Sequence, residues 1–274
     1  MVRRYFLFFL FLVNGFYHSQ QKAEDTPKVE NFKYALKYHS DKNNPNFFLE
    51  ERFILSIQGG KSLFSSIKNI EKDSILAVKF KELDLGGKVF TLKGVPRSKF
   101  TYYIVKENPE KPLVFYDDIG KDFFYYKEPM IDYSEWILNN EEKDIEGLKC
   151  QKATIDKYGR TFVAWFTKSI PIQDGPYKFS GLPGLIVEIY DINKDYHFTL
   201  IEYNSKDGKI VTLPKSKESK SLEVKKDKFV VSKKHYTDNL VERAKQAGLT
   251  IDENRERGIK KRLENQPSQL ELEN

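Results

Sequence analysis

In the stretch "FKYALKYHS", Phe32, Tyr34, Leu36 and Tyr38 alternate with Lys33, Ala35, Lys37 and His39. A period of two puts the aromatic set on one face and the polar set on the other, the pattern of a half-buried β-strand. The same alternation returns in "NFFLEERFILSIQGG", "FTYYIVKEN", "PLVFYDDI", "DFFYYKEPM", "LKCQKATI", "RTFVAWFTK", "GLIVEIYD" and "YHFTLIEYN". Turn residues separate these runs at intervals of about 8 to 12, as in an antiparallel meander. Asp156 to Gly159 ("DKYG") and Asp191 to Asp195 ("DINKD") read as hairpin turns, with Gly159 free to take positive φ. No strand-helix-strand alternation is visible, which argues against a doubly wound parallel sheet.

Two regions break the β pattern. Around residues 61–80 a short helical segment is expected: Leu63, Ile67 and Ile70 fit a helix, although Ile75 to Phe80 also reads as a strand. After a Lys/Ser-rich stretch, 213–231, expected as a surface loop, helical spacing appears over 232–265. Tyr236, Leu240, Val241 and Ala244 share a face, Gly248 stops the first helix, and Thr250 with Glu253 resembles a capping box for a second. Residues 266–274 read as a disordered tail. The fold class is therefore mainly β with added helices: a curved antiparallel meander over 31–212, followed by charged C-terminal helices.

The N-terminus carries Arg3 and Arg4, about nine apolar residues from Tyr5 to Val13, and a polar exit at Ser19-Gln20. This is the layout of a secretory signal peptide over 1–19, too short for a membrane span of roughly 20 residues. Residues 20–30 follow as a flexible lead. The expected localisation is exported, periplasmic or secreted, with no transmembrane segment in the mature chain. The formal charge of +6 falls to about +4 without Arg3 and Arg4, which makes no nucleic-acid footprint. Cys150 is the single cysteine, so no intramolecular disulfide forms.

The side chains carry little recognisable chemistry. Cys150 sits mid-strand without a neighbouring base, as a buried thiol does. His39, His197 and His235 are dispersed, and without a short ligand pair no metal site or cofactor is expected. Glu50-Glu51, Asp117-Asp118, Asp174, Glu188 and Asp191 could supply paired acid-base chemistry, but a chain with 40 acidic residues forms such pairs by chance. The candidate ligand-binding residues are aromatic: Trp165, Trp136, Phe124 and Tyr126, which could wall an apolar cavity or simply pack a core. "KKDKFVVSKKH" could touch anionic head groups but reads more naturally as a solvated junction.

Gly181 to Ile186 spell "GLPGLI", with Pro183-Gly184 suited to a type II turn that delivers a strand into the sheet. At Gly181, Leu182, Pro183, Gly184, Leu185 and Ile186 the chain resembles the GLPGLI protein family of Bacteroidetes. The approach "GLKCQKATIDKYGRTFVAWFTKSIPIQDGPYKF" and the upstream "SLFSS" and "KDSIL" are also similar to that family, over roughly Phe32 to Asn204. The resemblance implies an exported protein without a defined catalytic residue. The inferred sheet is similar to the half-barrel of lipoprotein-carrier folds, an analogy of fold alone. The preferred expectation is a non-enzymatic binding protein holding a lipid or extended peptide in an aromatic-lined concave sheet. The alternatives are an envelope assembly protein docking on a protein partner through its C-terminal helices, and a hydrolase assembled from distant residues.

Overall fold

The computed structural model describes residues 28–264, apart from 42, 45, 87–90, 108 and 205–208, together with Leu270 and Glu271. The leader over 1–19 and most of the polar lead lie outside the described residues. The chain forms β1 (Glu30–His39), β2 (Phe48–Gln58), β3 (Lys61–Ser66), α1 (Ile67–Asp84), β4 (Tyr103–Lys106), β5 (Leu113–Ile119) and β6 (Asp122–Glu128). A 3-10 turn at Tyr133–Glu135 leads to β7 (Ile137–Ile145), β8 (Leu148–Lys157), β9 (Arg160–Thr167), β10 (Leu185–Asp191) and β11 (Tyr196–Asn204). Then come α2 (Lys215–Lys220), β12 (Leu222–Glu223), α3 (Lys226–Asp238), α4 (Leu240–Gln246) and α5 (Glu253–Glu264).

All described strands join one sheet in the order β12-β6-β5-β4-β3-β2-β1-β11-β10-β9-β8-β7. Every pair is antiparallel except β12 with β6. Two meanders, β1 to β6 and β7 to β11, meet where β1 pairs β11. This topology forces curvature. Ten strand spacings separate β6 from β7 in that order, about 48 Å in a flat sheet. Glu128 and Ile137, the ends of the link between them, are nine residues apart and can reach only about 31 Å. The sheet must curl until its edges approach.

Alternation decides what lies inside the curl. Phe32, Tyr34, Leu36 and Tyr38 of β1 are all buried, as their period requires. Phe53, Phe64, Phe100 and Phe198 join them, with Phe53 ring centroids 5.1 Å from Phe64, 5.3 Å from Phe100 and 5.7 Å from Phe198. A smaller cluster of Leu63, Tyr103 and Val105 packs with Ile70 of α1. The expected turn at Gly159 forms, with Tyr158 and Gly159 both at positive φ between the paired Lys157 and Arg160.

The helical regions differ from expectation in four places. Lys61 to Ser66 is a strand, and the helix occupies Ile67 to Asp84, including the run Ile75–Phe80. Ser66 sets that boundary by accepting the Asn69 N–H on its side chain at 3.3 Å. The stretch 213–231 is built structure, containing α2, β12 and the start of α3. Lys217 sets its ammonium over the Tyr103 ring, 5.1 Å from the centroid, and reaches Asp73 at 2.9 Å, so a charge-rich sequence still anchors a segment. Asp252, rather than Thr250, caps α5, accepting from the Arg255 N–H at 2.9 Å. Thr250 lies too far ahead of the first turn to reach its free N–H groups. In the tail, Leu270 packs on the main core and Glu271 is ion-paired, because buried cations there need a carboxylate; the tail's other residues lie outside the described set.

Candidate functional site

Between β9 and β10 the chain leaves the sheet for residues 168–184 and crosses its inner face as a plug. Tyr177 lies 5.6 Å from Tyr102, beside β4, while Phe179 lies 4.7 Å from Phe162 of β9, so the plug bridges both halves of the curl. The interior is thus packed with the chain's own rings and is not the open aromatic cavity expected. The GLPGLI hexapeptide closes this plug. The Gly184 N–H donates to the Leu182 carbonyl at 2.8 Å across Pro183, a three-residue turn rather than the expected type II turn. The type II geometry fails because Gly184 sits at φ 152, far from the value of about +80 that the turn needs, as it enters β10 directly.

Lys106 of β4 holds the plug from below. Its fully buried ammonium pairs with Asp174 and donates to the carbonyls of Gly175 (3.0 Å), Tyr177 (3.1 Å) and Phe179 (3.3 Å). Ser62 donates to the other Asp174 oxygen at 2.6 Å. These bonds keep Tyr177 at φ 55, a left-handed conformation costly for a residue with a side chain. The kink aims the next residue, Lys178, between four rings.

The Lys178 ammonium, with 0% side-chain exposure, lies 4.8 Å from the Phe115 centroid, 5.0 Å from Tyr126, 5.3 Å from Tyr158 and 5.4 Å from Tyr177. It donates to the Tyr126 hydroxyl at 3.0 Å and pairs with Glu128 of β6 at 2.7 Å and Glu271 at 2.5 Å. Lys226, opening α3, pairs with the second oxygens of Glu128 (2.8 Å) and Glu271 (2.7 Å). The Tyr177 hydroxyl donates to Glu271 at 2.5 Å. Phe229 of α3 covers the group, 5.5 Å from Tyr126.

Burial lowers the Lys178 pKa, against the pull of Glu271 and Glu128. Burial opposes the charges of Glu271 and Lys226 as well, but there the ion pairs win. Glu271 is held below the usual carboxylate range by Lys178 and Lys226, and Lys226 is raised by Glu271 and Glu128. Burial, then nearby Glu271, pushes the Tyr126 and Tyr177 phenols up, so both stay protonated, Tyr126 accepting from Lys178 and Tyr177 donating to Glu271. The arrangement can grip a carboxylate between two ammonium groups and a phenol on an aromatic floor.

Of the sequence candidates, Tyr126 belongs to this cage. Phe124 shares its face one alternation away, half-buried on the main core. Trp136 serves the plug: its indole N–H donates to the Ser180 carbonyl at 2.9 Å. Trp165 is elsewhere. Its register with Lys152 and Glu188 puts it on the face opposite Phe162 and Phe166, under the Lys143 ammonium at 4.3 Å. Alternation that turns Phe162 inward turns Trp165 outward, so it cannot line the concave side. Lys178, Lys226, Glu128 and Glu271 went unread because charges are ordinarily solvated; the signal was a lysine between Tyr177 and Phe179 in an otherwise apolar run.

The other chemical candidates are engaged. His197 meets Glu188 at 2.7 Å, and His39 meets Asp195 at 3.0 Å beside Arg160. Asp191 pairs with Arg160 at 2.9 Å, and Asp117 with Lys233. Burial raises the Cys150 thiol to about 11, which suits packing rather than nucleophilic attack. Among the described residues no cluster of three His, Cys, Asp or Glu could hold a metal ion, and no helix is long and apolar enough to cross a membrane.

Comparison with known proteins agrees with a chain of this architecture. A family model described as a protein of unknown function (Porph_ging) matches residues 157–188, from the end of β8 through the plug into β10. Among curated proteins none matches. Two solved structures of PNGF-II, in C2 and P21 space groups, are similar over 77% of this chain, with TM-scores of 0.51 and 0.50 and identities of 12% and 14%. The chain spans about a third of PNGF-II, 33% and 34% in the two structures, and the likeness is one of fold.

Proposed function

We propose that this is an exported, GLPGLI-like binding protein, released from its leader after Ser19, whose sheet domain over 31–212 presents the Lys178 cage as its ligand site. The observation that carries the reading is the seating of Leu270 and Glu271 there, apolar side chain on the core and carboxylate on the cations. A site that holds one short segment by those two handles suits a peptide or a lipid with an acidic head. The matched family of unknown function and the β-rich fold are compatible with it. The test is native mass spectrometry on protein taken from its own cell envelope, followed by mild organic extraction. A bound mass that extraction removes, and that Lys226→Gln abolishes, supports the reading. A bare polypeptide mass in every preparation, including that of Leu270→Ser with Glu271→Gln, in which the chain's own segment no longer fills the site, overturns it.

A second reading, an envelope assembly protein, draws on apolar residues that the C-terminal helices leave exposed, Val231 and Leu249. Val231→Glu with Leu249→Glu should then abolish retention of a partner while leaving the melting temperature unchanged. Deleting the helices would test nothing, because Phe229 of α3 belongs to the core.

A further inference from the structure

We propose that Tyr177, Lys178 and Lys226 form a recognition site for an acidic peptide segment, an apolar residue followed by glutamate or aspartate, and that Leu270–Glu271 is the chain's own occupant of it. The inference rests on the reading of the protein as a binding module and names its ligand class. The first argument is charge. The sheet, plug and α3 supply two ammonium groups, Lys178 and Lys226, against one carboxylate, Glu128, whose two oxygens hold one ammonium each. The cage without Glu271 therefore carries a net positive charge in a mostly buried setting. Such a charge demands an anion.

The second argument is geometry. Three donors converge on one carboxylate, Tyr177 and Lys178 on Oε1 and Lys226 on Oε2, so both oxygens are read. Glu128 and Glu271 each bridge the same two ammonium groups, but Glu128 belongs to β6 whereas Glu271 arrives from beyond α5. The third argument is access. The Lys226 side chain is 36% exposed and that of Glu271 17%, so water reaches the occupied position and exchange needs no opening of the sheet. Leu270 beside it adds an apolar contact that a free phosphate or acetate would lack. A covalently tethered occupant acts at an effective concentration on the order of millimolar, which masks the site from weaker ligands in trans.

The experiment uses fluorescence anisotropy with a labelled peptide of the chain's own sequence, "NQPSQLELEN", residues 265–274. The full-length mature protein carrying Leu270→Ser, Glu271→Gln and Glu273→Gln, which removes both tethered Leu-Glu pairs, should bind this peptide at least about 10-fold more tightly than the unaltered protein, as release of a tethered competitor requires. A peptide with glutamine for both glutamates should lose that affinity, and adding Lys226→Gln should weaken binding by a similar factor. Circular dichroism melting of each variant confirms a folded sheet. If the folded variant without its Leu-Glu pairs binds neither peptide, or binds both equally, the acidic-segment proposal falls. The binding reading survives that result if native mass spectrometry still finds a releasable ligand, and fails with it if none is found.

Discussion

At Gly184 a methyl group has no room: an added Cβ would lie 2.0 Å from the Thr167 carbonyl oxygen, on a backbone already at φ 152. At Gly181 it would lie 2.5 Å from the Ile131 oxygen, at φ 88. Gly147 has a similar φ of 79 but open space around it. Alanine at Gly184 or Gly181 should therefore destabilise by more than about 3 kcal/mol, and at Gly147 by only about 1 kcal/mol, in urea titrations. The glycines of the hexapeptide serve close backbone approach, which explains why a motif without a reactive side chain can be so distinct. Cys150 gives a second residue-scale prediction. With its thiol raised to about 11, its reaction with a disulfide reagent at pH 8 should be slower in the native protein than in the denatured chain by at least about 100-fold.

Among the elements, the plug over 168–184 takes several of its bonds from one buried pair. Lys106 neutralises Asp174 and ties down three plug carbonyls. Lys106→Met leaves the Asp174 carboxylate buried with only Ser62 and a backbone N–H to satisfy it, a loss of roughly 3–5 kcal/mol. Lys106→Met with Asp174→Asn should recover a substantial part of that, since the uncompensated charge is gone. Chemical denaturation of the single and double variants measures the difference. Because the same bonds shape Tyr177, the single variant should also weaken the grip on Glu271 without touching it.

Across the whole molecule, the chain end is fastened to the sheet by a titrating contact. Glu271 has a folded pKa below its unfolded value, so its contribution is fully present above the ordinary carboxylate value, about 4.3, and is lost as pH falls through the depressed one. A fluorophore at the C-terminus should show constant anisotropy from pH 7 to about 5 and a fall below about 4.3. In Glu271→Gln the low plateau should already exist at pH 7. A fall centred well above pH 5 in the unaltered protein would contradict the Lys178–Lys226 pairing as its cause.

The strands were legible because alternation is a property of adjacent residues. Phe32 to Tyr38 declare their face with no knowledge of the partner strand, and Tyr158-Gly159 declares its turn. α1 was ambiguous for the opposite reason: Val78 and Phe80 are apolar yet exposed, so hydrophobicity did not report burial there. Trp165 was read as a wall of the concavity because an aromatic strand looks the same from either side until the curl decides which face is inner. Tyr126 was found, but the residues that give its neighbourhood a chemistry were not. Lys178, Lys226, Glu128 and Glu271 lie on the plug, α3, β6 and the chain end, and nothing local links them. By itself the sequence determined a meander of half-buried strands without disulfides. Tertiary structure alone decided which way the sheet curls, what fills it, and where two ammonium groups meet a carboxylate, because those depend on contacts between residues far apart along the chain.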